Sequence, residues 1–164
     1  MLPQETPRPG PALVVLMGLQ GAGKTSFARA RLLDTHVHVS KDHFSRRAKN
    51  KDARQERLVA EALAAGRSVV VDNTNPTALV RAPLVALGRV HGALLIGYCF
   101  DAPVDECLER NRARQGAACV PDVAIFATAK RFEVPSFAEG FDELHAVRLV
   151  TGAGFEVTAW MEPR

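Results

Sequence analysis

The sequence predicts an α/β domain: a central parallel sheet of about five strands flanked by helices, with a helical lid. Three observations predict it. Short apolar runs alternate with segments of helical length. Four of the five runs are rich in Val, Leu and Ile at consecutive positions, as in strands covered on both faces. A glycine-rich turn also stands between the first run and the first helical segment.

The strand-like runs are Ala12 to Met17, Val37 to Val39, Val69 to Val71, Ala93 to Cys99 and Ala146 to Val150. Between them, Lys24 to Leu33, Ala53 to Ala65, Pro76 to Val90 and Val104 to Arg114 are long enough for crossover helices. Pro76 suits a first helical turn and Gly66 a helix stop. Pro83 is expected to bend the third helix or mark a boundary. Val123 to Arg131 reads as a last helix, and Gly154 to Trp160 as a further edge strand.

At 164 residues, with 47% hydrophobic and 24% charged residues, the chain suits one domain able to bury its own core. Residues 1–11 carry Pro3, Pro7, Pro9 and Pro11 and are expected to form a disordered tail ahead of a single domain over 12–164. No run approaches the roughly 20 apolar residues that span a bilayer, so no membrane role is expected. Cys99, Cys107 and Cys119 are odd in number and lack metal-ligand spacing, which suits idle thiols in a reducing, cytoplasmic setting.

Gly18-Leu19-Gln20-Gly21-Ala22-Gly23-Lys24-Thr25 fits GxxxxGK[ST] between a strand and a helix, the context such a motif requires. Backbone N–H groups from Gly18 through Ser26 would surround phosphate oxygens, helped by the positive end of the helix. Lys24 would reach the β- and γ-phosphates and Thr25 would ligate Mg²⁺. ATP is the expected donor, with Mg²⁺ or Mn²⁺ as the metal.

Asp42 follows the second strand on the carboxyl edge where α/β ligands bind. A carboxylate there could orient an acceptor hydroxyl and take its proton. Spacing alone leaves Asp42 equally a helix N-cap or first-turn acid, with Ser40 or Asp42 capping the segment that follows. Asp72 ends the third strand in the manner of a metal-holding acid, though Asp-Asn-Thr-Asn is also good turn chemistry. Asn73, Thr74 and Asn75 could organise the loop that faces the acceptor.

In a continuous helix Arg110 and Arg114 share a face and could clamp a triphosphate, whereas Arg112 points away. Cations at a helix end are also favourable without any ligand. Net charge is only +3, but residues 41–57 hold seven cations against three acids, a local balance of +4. A solvated helix face explains that cluster as well as a polyanionic partner does.

Taken with HVSKDHF, VDNTNP, RNRARQ followed by VP, and KRFEVPSFAEGF, the glycine turn resembles the kinase module of polynucleotide 5'-kinases. The likeness spans about residues 12–142. It implies transfer from ATP to the 5'-OH end of DNA or RNA, with Asp42 as general base and Lys24, Arg110 and Arg114 on the phosphates. Thr25 and Asp72 would serve the metal, and Arg112 is a further ATP contact. Arg46, Arg47 and Asn75 are the expected nucleic-acid contacts. Where the phage-type pattern places an arginine three residues after the base, this chain has Ser45, and Arg46 is the substitute. No DxDGT phosphatase motif occurs, so a stand-alone kinase is expected, with a homo-oligomer left open. The same P-loop and Asp42 would also serve a kinase for a sugar, nucleoside or antibiotic.

Overall fold

The computed structural model describes residues 10–150 and 154–163, so most of the proposed 1–11 tail lies outside the described residues. Among the described residues six strands form one sheet in the order β2-β3-β1-β4-β5-β6. They are β1 (Ala12–Met17), β2 (Val37–Val39), β3 (Val69–Asp72), β4 (Leu94–Phe100), β5 (Glu143–Val150) and β6 (Gly154–Ala159). The first five run parallel, and β6 pairs antiparallel with β5 at the edge.

The consecutive apolar residues of β1 serve two cores. Leu13, Val15 and Met17 pack on one face with Val59, Leu84 and Leu95. Val14 and Leu16 pack on the other with Phe27, Ala28 and Ile125. Burial on both faces is why these strands lack polar alternation.

Among the described residues five α-helices connect the sheet: α1 (Lys24–Arg31), α2 (Lys51–Ala64), α3 (Ala78–Val90), α4 (Val104–Arg112) and α5 (Asp122–Arg131). The stop at Gly66 is a left-handed residue at φ 76°. Arg67 N–H reaches Ala62 O at 2.9 Å and Gly66 N–H reaches Leu63 O at 3.0 Å, the paired bonds of a Schellman closure.

Four expectations are corrected or narrowed. Pro76 precedes α3 and is not in its first turn; Thr77 caps that helix, accepting from Val80 N–H at 3.2 Å. Of the two outcomes expected of Pro83, the boundary is absent: α3 continues through it with Arg81, Leu84, Val85 and Gly88 buried. β5 begins at Glu143, three residues earlier than expected, because Glu143 and Leu144 pair with Ile96 and Gly97. α4 ends at Arg112, so Arg114 lies beyond its C-cap Ala113.

Register positions the site. Val39 pairs with Val71, Leu16 with Asp72, and Met17 with Cys99. The loops after β1, β2 and β3 therefore leave one carboxyl edge side by side. Among the described residues no helix is long and apolar enough to cross a membrane.

Candidate active site

The turn after β1 closes with Ala22 N–H on Leu19 O at 3.1 Å, and α1 starts from Gly23. Gly23 lies at φ 99° and supplies no side-chain cap, so the first N–H groups of α1 have no side chain competing for them. Gly21, at φ 82°, lies hard against α4: a Cβ there would fall 2.5 Å from Cys107 O. Gln20 Nε2 donates to Thr128 Oγ1 at 3.1 Å, joining this loop to α5.

Lys24 is buried, its Nζ donating to Gly18 O at 2.9 Å and Leu19 O at 2.7 Å. Burial pushes its ammonium down to about 8; Asp72 opposes that shift and Arg114 adds to it. An unfolded lysine titrates near 10.5, so above pH 8 the unfolded chain binds the extra proton and this group makes the fold more stable as pH rises. Cys99 acts oppositely above pH 9, because burial raises its thiol to about 12 and the unfolded thiol ionises first. The Lys24 contribution thus grows from about pH 8 towards 10.5, and the Cys99 effect, common to wild type and a Lys24 variant, cancels between them. Without nucleotide, wild type should gain urea midpoint relative to Lys24→Met between about pH 7.5 and 9; a constant difference would contradict the burial account.

Asp72, 4% exposed at the end of β3, accepts the Thr25 hydroxyl at 2.8 Å and His38 Nε2 at 2.9 Å on the same oxygen, Oδ2. A hydroxyl and a carboxylate are hard oxygen donors suited to Mg²⁺ or Mn²⁺, which takes its remaining ligands from phosphate and water. The residues present fit such an ion. Among the described residues no three His, Cys, Asp or Glu side chains gather into a cage of their own.

After β2 the chain makes a single 3₁₀ turn, Lys41–His43. Ser40 caps it, its Oγ accepting from Asp42 N–H at 3.3 Å, so the capping role considered for Asp42 falls to Ser40. Lys41 N–H donates to Asn73 Oδ1 at 3.0 Å, and Asn73 Nδ2 to Gln55 Oε1 at 2.6 Å. Asn73 therefore fixes the Asp42 turn to the loop after β3 and to α2. Asp42 itself is exposed, and its charge acts on Lys24. Among the described residues its carboxylate has no hydrogen-bond or ion-pair partner.

Asn75, expected as a nucleic-acid contact, turns its side chain into the fold. It is 2% exposed at φ 41°, its amide on Leu16 O at 2.7 Å. Its carbonyl accepts from Arg81, whose fully buried guanidinium also holds Glu139 through two bonds of 2.8 and 3.1 Å and reaches Glu133 O. Pro76 O accepts Glu133 N–H at 2.7 Å. VDNTNP and FEVPSFAEGF are thus two sides of one buried polar junction.

Arg110 donates to Gly21 O at 2.9 Å and pairs with Glu106. Arg114, although outside the helix, still bears on Lys24. Arg112, expected as a further ATP contact, pairs with Asp122 at 3.2 Å on the surface. Asn111, 1% exposed, pins the segment after α4 by reciprocal bonds to Val120 of 2.6 and 2.9 Å. Arg46, Arg47 and Lys49 are exposed and, among the described residues, have no ion-pair partner. Lys41 pairs with Asp52, and Arg54 covers the Phe44 ring at 4.6 Å, removing Phe44 as a free stacking surface.

His38, Arg81 and Asn111 were not singled out by sequence reasoning. Each is a polar side chain within an element; His38 and Arg81 depend on partners 34 and 58 residues away, and Asn111 on a backbone partner nine residues on, in the loop beyond α4.

A parallel sheet with the phosphate loop after β1 and an acid closing the adjacent β3 defines a P-loop kinase domain. The family model described as "AAA domain" (AAA_33) matches residues 13–135, and the chain belongs to that family. It is 28% identical over 142 residues, 82% of its length, to a protein of Acanthamoeba polyphaga mimivirus described as a bifunctional polynucleotide phosphatase/kinase. It is 26% identical over 141 residues, again 82% of its length, to the bifunctional polynucleotide phosphatase/kinase of Schizosaccharomyces pombe. The matches cover 32% and 33% of those proteins, so the chain spans about a third of their length. A gluconokinase from Sinorhizobium meliloti 1021 shares the fold, with a TM-score of 0.62 at 21% identity, covering 86% of this chain and 84% of that one.

Proposed function

We propose that this protein transfers the γ-phosphate of ATP to the 5'-hydroxyl end of DNA or RNA. The observation that carries the reading is Asp42. It is an exposed carboxylate without a partner among the described residues, on the sheet edge that bears the phosphate loop, with Arg46, Arg47 and Lys49 following it. The resemblance to polynucleotide kinase modules supports a nucleic-acid acceptor over a small one.

In the proposed reaction Asp42 accepts the proton of the 5'-OH as that oxygen bonds to the γ-phosphorus. The bond to the β,γ-bridging oxygen breaks and ADP leaves. Lys24 exchanges its carbonyl partners for phosphate oxygens, while Arg110 and Arg114 offset charge that develops during transfer. Thr25 and Asp72 would hold Mg²⁺ or Mn²⁺, which when bound neutralises phosphate charge. The free cations after Asp42 take the acceptor backbone, Arg46 and Arg47 foremost. Ion pairing with phosphates releases counterions, so the acceptor Michaelis constant should rise steeply with salt.

The test offers γ-labelled ATP with a 5'-OH oligonucleotide and, separately, with sugars and nucleosides, across a salt series. Label on the oligonucleotide with a salt-dependent Michaelis constant is expected. Transfer to a small metabolite alone would assign the acceptor to the other class, and a salt-independent constant would remove the cationic grip. The three cysteines, free in the structure, suit the cytoplasmic setting proposed for this activity.

A further inference from the structure

We propose that His38 is a positioning residue for the metal-facing carboxylate of Asp72. It rests on metal-assisted nucleotide binding as proposed above, but not on the acceptor. His38 lies in β2 and reaches across to the end of β3, its Nε2 2.9 Å from Asp72 Oδ2. A carboxylate only accepts, so Nε2 carries the proton of this bond. The Thr25 hydroxyl meets the same oxygen at 2.8 Å. Among the described residues no hydrogen bond or ion pair falls on Oδ1, which leaves that oxygen for the metal's coordination shell.

The carboxylate has a competing partner. Asp72 exerts the largest charge effect on Lys24, whose ammonium is buried nearby. A carboxylate free to turn would pair with that ammonium, and the collapse would withdraw both groups from nucleotide and metal. Two donors on Oδ2 hold it in one orientation. The His43 ring, edge-on to His38 at 4.7 Å and 87°, limits rotation of the imidazole. Such outer contacts change metal affinity by about 10- to 100-fold when removed.

The experiment is calorimetric ADP binding, with excess Mg²⁺ and with EDTA, for wild type, His38→Leu, His38→Gln and His38→Asn. A glutamine amide can take the place of Nε2; asparagine stops short of it. His38→Leu should lose about tenfold or more of the Mg²⁺-dependent gain in affinity while its EDTA value stays at wild type, and His38→Gln should keep most of the gain. Equal loss with and without Mg²⁺, or an unchanged gain, would overturn the proposal. If the leucine variant does not fold, a larger gain in His38→Gln than in His38→Asn supports the role and equality refutes it. Wild-type ADP affinity indifferent to Mg²⁺ would sink the metal-assisted reading too, so the two failures can be told apart.

Discussion

Asp42→Ala should lower transfer to a 5'-OH oligonucleotide by about 10²- to 10⁴-fold while ATP affinity stays close to wild type. The asymmetry follows from where Asp42 stands. Its turn is held by Ser40 and by the bond from Lys41 N–H to Asn73, neither of which uses the Asp42 carboxylate. Removing that side chain therefore leaves the turn intact. The exposed carboxylate makes little contribution to stability, so folding should be unaffected. Asp42→Asn should fail nearly as badly, because an amide can orient a hydroxyl but cannot accept its proton at neutral pH. The rate measured at saturating ATP and oligonucleotide, beside equilibrium ATP binding, separates chemistry from binding. Transfer retained within a few-fold of wild type would remove Asp42 as the base.

The second large effect concerns stability. Glu139→Gln should destabilise the fold by about 3–5 kcal/mol, because it leaves the Arg81 guanidinium buried with its charge uncompensated. Arg81 is fully buried and Glu139 is 14% exposed, so solvent cannot replace the lost partner. The glutamate also accepts the N–H of Ser136, completing a capping box around the short turn Phe137–Glu139. Arg81→Met with Glu139→Gln should recover part of the loss, since the double variant buries no unpaired charge. Chemical denaturation of the two single variants and the double variant measures this. A Glu139→Gln loss below about 1 kcal/mol would show that the junction is not held by the ion pair. The expected loss has a functional side as well, because Arg81 braces the Asn75 carbonyl three residues past Asp72.

The phosphate loop was legible because its chemistry is local. Glycines that admit left-handed backbone, a lysine and a hydroxyl all lie within one short turn between strand and helix. Strands β1 and β3 were legible for a related reason: burial on both faces writes itself as unbroken apolar runs. The start of β5 was hidden by Glu143 and His145, polar residues at the beginning of a strand. Helix α3 misleads in the opposite sense. Leu79 and Val90 stand 83% and 80% exposed while Arg81 is fully buried, because Glu139 and the Glu133 carbonyl come from distant segments, with the nearby Asn75 carbonyl, to satisfy it. Partners 52 and 58 residues away leave no local signal.

The same limit applies to the site. Spacing could not separate Asp42 as a base from Asp42 as a cap, since both readings put an acid at that position. In the structure Ser40 takes the cap and Asp42 stands as an acid in the first turn, its carboxylate unused by the cap. The arginines were placed by an assumed continuous helix; α4 ends two residues before Arg114, yet Arg114 still bears on Lys24. His38 gave no sign in VHV, because its partner belongs to the neighbouring strand.

Incubating the wild-type protein with γ-labelled ATP and magnesium, and with two otherwise identical oligonucleotides ending in 5'-OH or 5'-phosphate, tests the central claim most directly. Label should appear only on the 5'-OH strand, be removable by a phosphatase, and vanish with Asp42→Ala. No label on either DNA or RNA ends, with active transfer to a small hydroxyl compound under the same conditions, would contradict it.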